Sequence, residues 1–258
     1  MGFIKWIGAA VGWSFGGPIG AIIGLAIGSM MDKSSDAPLL GEGSKQSRPN
    51  YKQRKKYTRR EKPKTESGDF EISLLILSSI IIKADGRQDK RELDFVRDHF
   101  QKMYGTARAN QAFNLFKNIN KQNISTRQVT TQIRQMMDHA SRLQLLHFLF
   151  GIAKADGLVT DDELRQIEII NGYLGISYRD FESIKAMFYN SSANAYKILE
   201  IEKTVTDDEV KKAYRKMAKK YHPDRVTHLG EEHRDNAEEM FRKVQEAYEQ
   251  IQMERGFK

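Results

Sequence analysis

The strongest constraint on this chain lies at its amino end, where no ionisable side chain occurs from Trp6 to Met31, a run of 26 residues. As one helix that run would extend ~39 Å, against a hydrocarbon core of ~30 Å. Within it Gly8, Gly12, Gly16, Gly20, Gly24 and Gly28 recur at every fourth position. The spacing predicts a stripe without side chains along one helix face, the surface through which membrane helices approach closely. We read residues 1–31 as a glycine-zipper transmembrane anchor, with the stripe as a surface for packing against a second copy. Gly17-Pro18 interrupts the run, and proline there either kinks the span or divides it into a short helical hairpin. A cleaved signal peptide fits less well, because the apolar stretch is long for one and only Lys5 precedes it.

The net charge of +8 suggests an anionic partner until it is located. Residues 45–64 hold ten Lys/Arg and one acid, so this segment carries +9 and the remainder of the chain −1. Residues 32–68 have few large apolar side chains and read as a basic disordered linker. Tyr51 and Tyr57 among the cations also suit stacking on nucleic-acid bases. A basic run just after a membrane span has a simpler role, fixing orientation and touching anionic headgroups. Gly41-Glu42-Gly43-Ser44-Lys45 lacks the full spacing of a phosphate loop. The absence of cysteine excludes disulfides, thiolate metal sites and a cysteine nucleophile.

From about 69 to 190 the pattern is helical, and a repeat organises it. Lys83-Ala84-Asp85-Gly86 returns as Lys154-Ala155-Asp156-Gly157. Each copy follows an apolar run and precedes a polar stretch ending in Glu-Leu. Ile72–Ile82 alone permits a buried strand, but the second copy, from Leu143 to Ala155, is long enough for a helix. Both copies therefore read as helix–loop–helix. Gly86 and Gly157 suit a left-handed helix end, while Asp89-x-x-Glu92 and Thr160-x-x-Glu163 have capping-box spacing. This doubled motif resembles the TerB family of all-α domains. That resemblance makes Asp85, Glu92, Asp156 and Glu163 candidate metal residues, although capping alone accounts for their types and positions. His147 reads as a hydrogen-bonded core histidine.

The last 65 residues carry the sharpest signal. Tyr196, Ile198, Leu199 and Ile201 form a short apolar segment, and Thr206-Asp207-Asp208-Glu209 supplies a cap with acids in the first turn. Val210, Ala213, Tyr214, Met217, Ala218 and Tyr221 then share one helix face, with Lys211, Lys212, Arg215, Lys216, Lys219 and Lys220 on the remainder. His222-Pro223-Asp224 ends this helix, because proline disfavours helix in the residue before it. After a polar loop, in which His228 and His233 read as solvated, Ala237, Met240, Phe241, Val244, Ala247, Tyr248 and Ile251 line a second helix. Two amphipathic helices joined by His-Pro-Asp, the first of them basic, resemble the J domain of DnaJ-type co-chaperones. Glu200 stands where that family usually has Gly, Arg225 replaces Lys, and the sequence ends at Lys258, where a short fourth helix would lie.

The expected fold class is all-α: a transmembrane helix, a TerB-like bundle over 69–190 and a J domain over 193–258. The resemblance implies a membrane-anchored co-chaperone that stimulates ATP hydrolysis by a DnaK-type partner, without catalysis or a cofactor of its own. His222, Pro223 and Asp224 would be its centre, and Lys211, Lys212, Arg215, Lys216 and Lys219 its docking face. The implied location is the bacterial inner membrane, crossed once, with the folded domains in the cytoplasm. Residues 194–258 carry 14 basic and 14 acidic side chains, and a neutral domain with one basic face suits an acidic protein better than nucleic acid. The competing class is a membrane-tethered stress or signalling adaptor whose J domain is vestigial.

Overall fold

The computed structural model describes residues 16–28, 67–86, 89–189, 192–230 and 233–257. Ten helices occur among them: α1 (16–28), α2 (Ser67–Ile81), α3 (Lys90–Ile119), α4 (Thr126–Met136), α5 (His139–Ala153), α6 (Asp161–Leu174), α7 (Tyr178–Ala186), α8 (Ser192–Ile198), α9 (Asp207–Lys220) and α10 (Arg234–Arg255). No strand occurs among the described residues. Gly8 and Gly12 of the glycine stripe, the basic run and most of the linker lie outside them.

The core is built on α2 and α5, which pack against each other. Leu74 to Leu77 and Ile80 to Ile82 are buried, as is every residue from Leu143 to Ala153. A helix apolar on all sides has no solvent face, so it goes to the centre of a bundle. The serines of α2 are accommodated locally. Ser73 and Ser78 donate to the carbonyls of Asp69 and Leu74, and Ser79 reaches Asn120 Oδ1 at 2.9 Å. The apolar run that the pattern left open to a strand is therefore a helix whose hydroxyls bond within it or to a neighbour.

Both repeat loops end as the spacing predicts. Gly86 and Gly157 have φ of 75° and 99°, and Asp89 and Thr160 cap α3 and α6 with complete capping boxes. One feature the pattern did not show is a break inside α3 at Gly105, with φ 76° and ψ 164°.

In α1, Gly17 has φ 59°, a left-handed conformation that a right-handed helix cannot pass through unbroken. Gly20, Gly24 and Gly28 stay in phase, while Gly16 lies ahead of the break. No helix among the described residues is long and apolar enough to cross a membrane. Residues 16–28 lie against the bundle: Gln132 accepts from the Ile19 amide at 2.9 Å and donates to the Gly16 carbonyl at 2.5 Å, and Gln122 donates to the Ile22 carbonyl.

Candidate functional site

The carboxy-terminal helices α8, α9 and α10 pack together, with Val210, Met217 and Tyr221 buried against Ala237, Met240, Val244, Ala247 and Ile251. Tyr214 stacks on Tyr248 at 4.3 Å and 15°. Arg255 ties the end of α10 to the start of α9, donating to the Val205 and Lys203 carbonyls, to Asp207 and to the Tyr196 hydroxyl. These contacts hold the two helices together along their length and at the end away from the loop, so the loop between α9 and α10 is carried on a fixed hairpin.

In that loop Pro223 opens a 3-10 turn, Pro223–Arg225, and His222 is its N-cap. The His222 Nδ1 accepts from the Asp224 amide at 3.2 Å, which leaves the proton of a neutral ring on Nε2. Its ring meets Phe241 of α10 edge-on, with centroids 5.6 Å apart at 79°. The Asp224 carboxylate is 3.4 Å from His222 Nδ1, and its side chain is 82% exposed. The turn therefore presents a carboxylate to solvent from a short, proline-fixed backbone. Such a group is placed to accept a charge-assisted hydrogen bond from a cation on a partner.

The basic face of α9 adjoins it. Lys212, Arg215, Lys216 and Lys219 are exposed, and Lys211 is half-buried with its ammonium 5.5 Å from the centre of the Phe257 ring. Lys220 is different. Its ammonium bridges Asp180 of α7 and Glu200, and only 18% of its side chain is exposed. Burial pushes the Asp180 carboxyl up, but hydrogen bonds from His139 and Lys220, with the charge of Lys220, hold it well below the usual carboxylate range.

The loop histidines depart from the sequence expectation of solvation. His233 is 2% exposed, with its Nε2 3.1 Å from the Tyr104 hydroxyl and its ring against Phe70. His228 Nε2 lies 2.7 Å from Asp138. His147 is buried as expected, with its Nδ1 2.9 Å from Asn236 Oδ1, and burial pushes its pKa down. Each of these contacts joins α9, α10 or their loop to the α2–α7 bundle. None was legible in the sequence, because the polar partners lie 89 to 129 residues apart.

Of the four acidic residues in the repeat, the structure unites two. Glu92 and Glu163 are buried and hydrogen-bonded to each other, and each accepts from the amide of its own cap residue. Burial, then the hydrogen bond and charge of Glu163, push Glu92 up to about 8. Asp156 stays at the rim, linked through Arg91 to Asp89, and Asp85 is exposed. No group of three or more His, Asp or Glu arranged to hold a metal ion occurs among the described residues.

The comparisons with known proteins follow the same division. Residues 71–186 match the family of tellurite resistance protein TerB, and residues 194–255 match the DnaJ domain. Residues 1–48 match the transmembrane domain of co-chaperone DjlA. Bundle, His-Pro-Asp turn and basic helix thus define a DnaJ-type co-chaperone in which a J domain is joined to a TerB domain. In domain order and along nearly its whole length the chain is DjlA-like, with a membrane anchor at its amino end. It is 27% identical to co-chaperone protein DjlA of Photobacterium profundum over 98% of this chain and 99% of that protein. It is 26% identical to DjlA of Coxiella burnetii over the same shares. Its J domain is 57% identical over 54 residues to chaperone protein DnaJ of Wolinella succinogenes, covering 21% of this chain and 13% of that protein. No solved structure matches the chain.

Proposed function

We propose that this chain stimulates ATP hydrolysis by a DnaK-type chaperone at the bacterial inner membrane. The chemistry takes place in the partner, and the J domain biases the partner's conformational equilibrium by binding its states unequally. The observation that carries this reading is Asp224, exposed on a proline-fixed turn beside the cations of α9. In this reading His222, Pro223 and Asp224 act on the partner, while Lys211, Lys212, Arg215, Lys216 and Lys219 steer it and add affinity. Residues 1–31 form the anchor, 32–68 the linker, 69–190 the TerB-like domain and 193–258 the J domain. The span crosses once, with the folded domains on the side that holds ATP. Gly20, Gly24 and Gly28 keep one helical phase, which suits pairing of two anchors.

The test is the steady-state ATPase of a DnaK-type chaperone with the full chain and its Asp224→Asn variant. Asp224 touches none of the apolar face, so the variant keeps its helical circular dichroism. It should leave the ATPase at its unstimulated rate. Stimulation equal to the parent's would instead favour a tethered adaptor with a vestigial J domain.

A further inference from the structure

The basic face of α9 does not stop at the edge of the J domain. A groove opens between α9 and the TerB domain, lined by Lys216, Lys219, Lys220 and Arg225 on one side and by His139, Arg179 and Asp180 on the other. The carboxylates in and beside it are already engaged. Asp180 binds Lys220 and His139, and Glu200 binds Lys216 and Lys220. Lys219, Arg225 and Arg179 are exposed and form no ion pair among the described residues. Three unpaired cations, two from the J domain and one from the first turn of α7, therefore face one open groove. The His-Pro-Asp turn immediately precedes Arg225.

The TerB domain stands beside this face without covering it. Only Lys220 is withdrawn, whereas the Lys216 side chain remains 66% exposed and Asp224 82%. A domain that masked the docking helix would have buried those groups. This one holds a single lysine and adds a guanidinium, the cation best suited to bidentate binding of carboxylates. We infer that Arg179 of the TerB domain belongs to the docking surface for the acidic face of the DnaK-type partner, so that the partner spans both domains. This rests on the function proposed above and adds a second domain to its contact surface.

The experiment measures ATPase stimulation against concentration for the detergent-solubilised full chain. Arg179→Glu should raise the half-maximal concentration at least about fivefold at low salt while leaving the ceiling unchanged. The difference should shrink as ionic strength rises and the screening length falls to about 3 Å near 1 M. Arg179→Ala should shift it the same way by less. Lys117→Glu, an exposed cation on α3 outside the groove, should leave the curve unmoved. An Arg179→Glu curve that overlays the parent's, with Asp224→Asn inactive, overturns this inference and leaves the proposed function standing. A lowered ceiling at unchanged half-maximal concentration also overturns it, since the arginine would then act on the turn and not on docking. If Asp224→Asn stimulates like the parent, the function itself fails first.

Discussion

Glu92 and Glu163 illustrate how one residue type serves two levels of structure. Each closes a capping box at the start of its helix, and that much the Asp-x-x-Glu and Thr-x-x-Glu spacings predict. The sequence does not show that the two repeats bring these carboxyls together, where they hydrogen-bond to each other. The consequence is a pH dependence of stability. Glu92 holds its proton up to about pH 8 in the folded chain, whereas in the unfolded chain it releases it near the ordinary glutamate value of 4.5. Between those values the folded state binds more protons than the unfolded one, so stability is fully present at the acid end and declines as pH rises. Glu92→Gln retains an acceptor for the Asp89 amide and a donor for Glu163, and it does not ionise. From pH 5 to 8 the urea midpoint of the parent should fall relative to that of Glu92→Gln at the same pH, a difference from which the buried histidines common to both chains cancel. Parallel profiles would show that the pair does not share a proton.

At the scale of elements, the faces of α9 and α10 were legible because their apolar residues recur with the helical period, and every large side chain of that pattern is buried or half-buried. The run in α2 was not, because a segment apolar all round has no phase to distinguish helix from strand. Between α8 and α9 the departure at Glu200 now has a physical account. Its φ is 58°, the left-handed conformation in which glycine alone avoids a Cβ clash, so the family's usual residue is the unstrained one. Glu200 holds this position while its carboxylate binds Lys216 and Lys220. The two effects separate by substitution. Glu200→Ala loses the ion pairs and keeps the strain, whereas Glu200→Gly loses the pairs and releases it. Glu200→Gly should be the more stable of the two variants by about 1 kcal/mol in chemical denaturation. Equal stabilities would mean that the backbone relaxes out of the left-handed region once the carboxylate is gone.

For the whole molecule, the open question is how the folded body meets the membrane. The J and TerB domains share a packed boundary through His147, His228, His233 and Lys220, so they are carried by the anchor as one unit. Charge sets the orientation proposed for it: Lys5 alone precedes the apolar run, while residues 45–64 carry +9 beyond it. Moving that segment across the membrane is unfavourable, and on that ground the proposed orientation keeps the domains on the cytoplasmic side and sends the amino terminus across. The left-handed Gly17 ahead of Pro18 bears on the alternative, since a sharp enough break there would return the chain to its starting side as a hairpin. The chain lacks cysteine, so single-cysteine variants report position without background. In intact cells with a permeabilised outer envelope, a membrane-impermeant maleimide should label Phe3→Cys and leave Ser44→Cys unlabelled until the inner membrane is opened. A hairpin places both positions inside, so protection of Phe3→Cys as complete as that of Ser44→Cys would rule out the single span.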